Sequence, residues 1–105
     1  METITPATQS VGATILKQLG WNKFIAMTGA KNFVFDNNGL YFKLPATITR
    51  DRINYIRITL NVMDTYDIEF WALGRFAKKL DEINGIYNDG LKAVIADRTG
   101  LRLSL

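Results

Sequence analysis

Residues 32–45 read Asn32-Phe33-Val34-Phe35-Asp36-Asn37-Asn38-Gly39-Leu40-Tyr41-Phe42-Lys43-Leu44-Pro45 and predict a β-hairpin. The dipeptide Asn38-Gly39 is typical of a type I′ turn, because both residues tolerate a positive φ. With this loop, Phe35 is expected opposite Phe42, and Phe33 opposite Leu44. These four apolar side chains then share one face of the hairpin. The other face carries Val34, Asp36, Tyr41 and Lys43.

A second hairpin is predicted after the polar link 46–52. Apolar residues alternate with mostly polar ones through residues 53–62, and the same alternation returns in residues 65–73. A three-residue loop at Met63-Asp64-Thr65 joins the two strands in this interpretation. The resulting cross-strand pairs are Leu60 with Ile68 and Ile58 with Phe70 on the apolar face, and Arg57 with Trp71, Thr59 with Glu69 and Asn61 with Asp67 on the mixed face.

Helices are predicted before and after the hairpins. Residues Pro6 to Leu19 have apolar side chains at helical spacing, and Gly20 suits a left-handed C-cap. Residues Tyr87 to Thr99 predict a second helix, which is ended by Gly100. Its apolar stripe is Leu91, Val94 and Ile95, and its candidate caps are Asn88 and Asp89.

Three other segments leave alternatives open. Residues 21–27 fit either a helical turn or a short strand. Residues Phe76 to Ile83 have a helical composition, with Phe76, Leu80 and Ile83 on one side, but they could also pair as a fifth strand. The tail Leu101 to Leu105 alternates and could add an edge strand.

This order of elements predicts a single α+β domain over residues 1–105. The N- and C-terminal helices are expected to pack on one face of an antiparallel sheet of about four strands. The core is then expected to contain Phe35, Phe42, Ile58 and Phe70, beneath Ile15, Leu19, Leu91, Val94 and Ile95.

The composition excludes several classes of site, because the chain contains no histidine and no cysteine. Structural zinc sites, Cys–His dyads, Ser–His–Asp triads and disulfides are therefore ruled out. Asp64, Asp67 and Glu69 come nearest to an oxygen-ligand metal site, but no further ligand at a convincing spacing accompanies them. Thr28-Gly29-Ala30-Lys31 lacks the preceding glycine and the strand-to-helix context of a P-loop. We therefore predict a protein that is not an enzyme and that needs no cofactor or metal.

Charge and hydropathy limit the partners and the cellular location that we expect for the protein. The formal net charge is +3, a mild basic bias compared with a dedicated nucleic-acid binder. No apolar run approaches the roughly 18 residues of a membrane span, so we expect no membrane partner. The first six residues show no basic leader followed by an apolar stretch, and the lack of cysteine fits a cytoplasmic location.

The mixed face of the two hairpins is the candidate functional surface. If both hairpins lie in one sheet, their alternation brings together Tyr41, Lys43, Tyr55, Arg57 and Trp71, bordered by Arg50 and Arg52. Aromatic and basic side chains together on a strand face can stack bases and hold phosphates. The alternative is structural: Arg57 over Trp71 as a cation–π pair, with Asp67 and Glu69 on the same face opposing phosphate.

Five stretches of the chain resemble a family of small uncharacterised proteins carried by bacteriophages and other mobile elements. They are 27–33 (Met-Thr-Gly-Ala-Lys-Asn-Phe), 39–45 (Gly-Leu-Tyr-Phe-Lys-Leu-Pro), 64–70 (Asp-Thr-Tyr-Asp-Ile-Glu-Phe), 85–87 (Gly-Ile-Tyr) and 99–101 (Thr-Gly-Leu). The resemblance implies context rather than site residues: such accessory proteins bind nucleic acid or block a host or defence protein. The expected partner is therefore single-stranded nucleic acid or a host protein, and homo-oligomerisation stays open.

Overall fold

The computed structural model describes residues 11–101 and shows a meandering antiparallel sheet with helices on one face. The strands are β1 Lys31–Phe35, β2 Gly39–Lys43, β3 Tyr55–Leu60, β4 Tyr66–Leu73 and β5 Ala77–Ile86. The helices are α1 Val11–Leu19, α2 Asn22–Thr28 and α3 Leu91–Thr99. The spatial order β1-β2-β3-β4-β5 follows the chain, so successive turns alternate between the two ends of the sheet.

The predicted α+β class is confirmed, but the sheet has five strands instead of about four. The difference arises because residues 77–86 form β5 and not a helix, so the fifth-strand alternative is the correct one. β5 hydrogen-bonds to the free edge of β4, with two register irregularities along the pair. Leu80 and Ile83 pack against the core, whereas Phe76 lies in the preceding turn with 79% of its surface exposed.

The helices lie where the sequence predicts them, but not every predicted cap is present. Of the two alternatives for residues 21–27, the helical one is correct, because all of them except Trp21 lie in α2. α3 ends at Gly100 with a φ of 78°, as predicted. Asn88 and Asp89 do not cap it, because they form a short 3-10 turn and Gly90 occupies the N-cap position without a side-chain hydrogen bond. Residues Pro6 to Ser10 of the first predicted helix, and residues 102–105 of the predicted edge strand, lie outside the described part of the chain.

The core lies between the sheet and the helices, as predicted. Phe42, Ile58 and Phe70 are fully buried there, and so are the helix residues Ile15 and Ile95. The ring of Phe42 contacts the ring of Phe24 edge-to-face, with centroids 5.5 Å apart. Phe35 and Val94 are only partly buried and pack at the margin of this core.

The first hairpin has a different register from the predicted one. Phe35 pairs with Leu40 and Val34 with Tyr41, so the two loop residues are Asn37 and Asn38. The loop is closed by the amide of Asp36, which donates to the carbonyl of Gly39 at 2.9 Å. Neither Asn38 nor Gly39 adopts a positive φ, so the type I′ prediction is wrong.

The second hairpin is shifted in the same way. Ile58 pairs with Ile68, and Ile56 pairs with Phe70, so the register is shifted by two residues from the prediction. The turn is wider because the side-chain carbonyl of Asn61 accepts hydrogen bonds from the amides of Met63 (2.8 Å) and Thr65 (3.3 Å). A shift of two residues leaves every side chain on its original face, since side chains alternate with a period of two. The predicted faces are therefore correct although the predicted partners are not.

Arg98 ties α3 to the sheet and to the β2–β3 loop. Its Nε donates to Oδ2 of Asp81 in β5 at 2.9 Å, and its Nη1 donates to Oδ2 of Asp51 at 3.0 Å. The hydrogen bond from Arg98 lowers the pKa of Asp81 below its ordinary value. A carboxylate whose pKa is depressed in the folded state stabilises the fold above its unfolded pKa of about 3.9, and this contribution is lost as the pH falls through the folded pKa.

We therefore expect Asp81→Asn to flatten the acid limb of the stability curve. The wild-type free energy of unfolding should fall more steeply below about pH 4 than that of the variant, because only the wild type must protonate this paired carboxylate. Urea denaturation across a pH series measures both slopes. Asp89→Asn serves as the control for removing one carboxylate, because Asp89 forms no ion pair among the described residues. Parallel curves for wild type and Asp81→Asn would contradict the assignment.

Candidate functional site

All five residues of the predicted site lie on the open face of the sheet, opposite the helices. The strand register pairs Tyr41 with Arg57, and it aligns Lys43, Tyr55 and Trp71 across three neighbouring strands. The five side chains therefore form one continuous surface. Lys43 is exposed, and the other four are partly exposed.

The register also reveals a row of side chains that crosses the whole sheet, which we call the basic row. It contains one residue from each strand: Lys31, Lys43, Tyr55, Trp71 and Lys79. With neighbouring strands about 4.8 Å apart, this row is about 19 Å long. The sequence interpretation missed Lys31, which lies beyond a bulge in β1, and Lys79, whose segment had a helical composition. Only the strand pairing could have identified these two.

The neighbouring row on the same face is mixed in charge. It contains Val34, Tyr41, Arg57, Glu69 and Glu82. The guanidinium carbon of Arg57 lies 4.5 Å from the centroid of the Tyr41 ring. The expected cation–π pair of Arg57 with Trp71 is therefore wrong, because the shifted register places Glu69 opposite Arg57.

Hydrogen bonds fix the orientation of two of the three aromatic side chains on the open face, Tyr41 and Trp71. The hydroxyl of Tyr41 donates to Oδ2 of Asp36 at 2.9 Å, and the indole Nε1 of Trp71 donates to Oε1 of Glu69 at 2.8 Å. Burial, followed by the hydrogen bond to Asp36, raises the pKa of Tyr41 above its ordinary value. Both rings are thus held in place before any ligand arrives, which lowers the entropy cost of stacking on them.

Positive charge concentrates toward one end of the open face. The basic row contains three lysines and no acidic residue, whereas Glu69 and Glu82 lie in the neighbouring row. Glu82 forms an ion pair with Lys79, with 2.6 Å between Oε1 and Nζ. A phosphate is therefore favoured along the basic row. In the neighbouring row, Glu69 and Glu82 oppose a phosphate and only Arg57 attracts it.

Of the two arginines expected to border this face, Arg50 points elsewhere. Its Nη1 donates to the carbonyl of Asp97 at 2.9 Å, so this side chain lies against α3. Arg52 is exposed in the β2–β3 loop, where it lines a cleft of about 520 Å³ together with Ala46, Thr47, Thr49 and Asp51.

Two of the three acidic residues considered as metal ligands, Asp67 and Glu69, accept hydrogen bonds from other groups. Oδ1 of Asp67 accepts from the side-chain amide of Asn61 at 3.0 Å and from the backbone amide of Gly85 at 3.2 Å. Within residues 11–101, no group of three or more acidic side chains is arranged to hold a metal ion. No helix in this part of the chain has the length and apolar character needed to cross a membrane.

No protein-family model, curated protein or solved structure matches the chain. The open face therefore has to be interpreted from its own chemistry. That chemistry consists of two aromatic rings, Tyr55 and Trp71, which lie between lysines in the basic row. The helices leave this surface uncovered.

Proposed function

We propose that the protein is a small non-enzymatic module that binds single-stranded nucleic acid through Tyr41, Lys43, Tyr55, Arg57 and Trp71. The observation that carries the proposal is the basic row, in which Tyr55 and Trp71 lie side by side with lysines on both sides. Aromatic side chains stack on unpaired bases whatever the sequence, and lysines neutralise phosphates.

A single strand suits this face better than a duplex does. The bases of a single strand are free to lie flat on side chains of a sheet, as they do on other sheet-based binding domains. Because the basic row is about 19 Å long, it can contact only a few successive nucleotides. Arg57 adds a planar cation in the neighbouring row, where its guanidinium already stacks on Tyr41.

The second candidate function is a protein–protein interaction, for example the inhibition of a host or defence protein. This candidate is favoured by two apolar side chains at the β3–β4 turn, because Val62 is 100% exposed and Met63 is 77% exposed. In either case, the accessory role in a phage or mobile element and the host-cell cytoplasm as its location rest on the resemblance and the composition alone. The two functions differ in salt dependence, which is steep for phosphate contacts and weaker for a packed apolar interface.

We expect fluorescence anisotropy to detect binding of short labelled single-stranded DNA or RNA at low salt. Trp71→Ala should weaken this binding by about 1–3 kcal/mol, because one stacking platform is lost. Arg57→Gln and Lys43→Gln should each lower the slope of log K against log salt by roughly one phosphate contact. Lys23→Gln on α2, away from the open face, is the matched control and should leave both quantities unchanged.

Two results would reject this proposal in different ways. A lack of any binding at low salt would favour the protein–protein interaction as the function. Binding that survives all three substitutions would move the nucleic-acid contact away from the open face.

A further inference from the structure

The two ends of the sheet carry opposite charges. The turns 36–39 and 61–65 lie at one end, joined by a hydrogen bond from the Leu60 amide to the Asn38 carbonyl (2.8 Å). These turns contain Asp36 and Asp64 and no lysine or arginine, and we call them the acidic end.

The connections 44–54 and 74–76 form the basic end. The amide of Leu73 donates to Oδ1 of Asn54 at 2.7 Å, which ties the connection 44–54 to the end of β4, where the connection 74–76 begins. They contain three arginines, and their one acidic residue, Asp51, is paired with Arg98. The meander therefore produces a molecule with charge-complementary ends.

The acidic end presents an apolar tip on a rigid turn. Val62 is 100% exposed and Met63 is 77% exposed, at positions where turns usually carry polar residues or glycine. The side-chain amide of Asn61 holds the turn by donating to Oγ1 of Thr65 at 2.9 Å and to Oδ1 of Asp67 at 3.0 Å, in addition to the two amides that its carbonyl binds. An ordered turn of this kind loses little conformational entropy when it is bound, so the two apolar side chains are poised to dock.

The basic end offers a cleft for such a tip. The β2–β3 loop encloses the cleft of about 520 Å³ described above, with Arg52 in its wall. Two apolar side chains are exposed at the same end, Ile48 in this loop and Phe76 in the neighbouring turn. Asp51 and Arg52 both have a positive φ, 55° and 58°, a strained conformation for residues other than glycine. The ion pair between Asp51 and Arg98 anchors this loop to α3.

We propose that the protein associates head to tail, with the 62–63 tip of one copy in the β2–β3 cleft of a second copy. The opposite charges of the two ends steer and orient this contact. Each copy in such a contact keeps one free tip and one free cleft, so association continues beyond two copies unless a ring closes. Because the tip buries little surface, we expect a weak contact. Because opposite charges orient this contact, we expect added salt to weaken it further. This inference does not depend on nucleic-acid binding.

Sedimentation velocity on the nuclease-treated full chain tests the proposal. At low salt, the average mass should increase as the protein concentration is raised to about 1 mM. It should then exceed the mass of two chains. At high salt it should return toward that of one chain. A single-chain mass at every concentration would overturn the proposal, and so would a mass that stops at two chains while tips and clefts remain free.

Variants at each end provide the sharper test. The double substitution Val62→Ser with Met63→Ser removes the tip, and Arg52→Glu reverses a charge at the cleft. Arg75→Glu in the other connection is a second basic-end variant. All four positions are exposed, so the fold should be retained. Each variant alone should sediment as one chain. An equimolar mixture of a tip variant and a basic-end variant should form dimers and nothing larger, because only one pair of intact ends remains.

Two controls separate this contact from nonspecific association. Val34→Ser removes an exposed apolar side chain from the open face, and Lys23→Glu reverses an exposed charge on α2. Both should associate as the wild type does. Association that persists in the tip variant, or a mixture that fails to form dimers, would overturn the proposal.

Discussion

Replacing Gly39 with valine should destabilise the protein by more than about 2 kcal/mol. A Cβ at this position would lie 2.2 Å from the carbonyl oxygen of Ile58, which is a backbone atom of β3 and cannot move without breaking the strand pairing. On its other side, the carbonyl of Gly39 lies 2.6 Å from where a Cβ on Gly12 of α1 would be. Gly39 is therefore confined between a strand and a helix, and only a residue without a side chain fits.

Urea denaturation of Gly39→Ala and Gly39→Val measures this effect. The alanine variant should already be strongly destabilised, because its Cβ alone makes the close contact. Gly74→Ala is the matched control: a Cβ there meets nothing within 4 Å, and we expect a change of no more than about 0.5 kcal/mol. An unchanged midpoint for Gly39→Ala would mean that β2 and β3 are not as close as described.

The same substitution is predicted to be harmful from the sequence, but for another reason. Asn38-Gly39 suggests a turn with positive φ at both residues, whereas the loop uses Asn37 and Asn38 and leaves Gly39 in β2. The local sequence indicates correctly that a glycine is needed in this region. The residue that requires it is Ile58, which is 19 positions further along the chain. This contact can be identified only once the strand pairing is known.

The two faces of the sheet could be predicted because they depend on alternation within each strand. That signal is local, and it survives the shift of two residues in both hairpins. The register could not be predicted in the same way, because it depends on how each turn closes. In the second hairpin it depends on Asn61, whose side chain accepts hydrogen bonds from the amides of Met63 and Thr65 and so widens the turn.

The same distinction explains what was missed at the candidate site. Its five predicted residues follow from alternation within the hairpins, so they lie together on the open face. Lys31 and Lys79 join them only through the pairing of β1 with β2 and of β4 with β5. For residues 77–86 the composition favours a helix, but the free edge of β4 provides backbone hydrogen bonds that make the strand more stable there.

Truncating either of two core phenylalanines should have the largest effect of any substitution considered. Phe42→Ala and Phe70→Ala are each expected to cost about 3–5 kcal/mol, which includes both the lost burial and the cavity left behind. Both side chains are fully buried between the sheet and the helices. Phe42 also contacts the rings of Phe24 and Phe33, with centroids 5.5 Å and 5.4 Å away, so its removal affects α2 as well as β1.

Denaturant midpoints for these variants test the assignment of faces on which the candidate site depends. Domains of this size are commonly stable by about 5–15 kcal/mol, so either truncation should remove a large part of the total stability. Phe76→Ala removes the same atoms from a side chain that is 79% exposed, and it should change the free energy of unfolding by no more than about 0.5 kcal/mol. Near-native midpoints for both core variants would mean that Phe42 and Phe70 face solvent. In that case Tyr41, Lys43 and Trp71, which alternate with them along β2 and β4, would lie beneath the helices and could not contact a ligand.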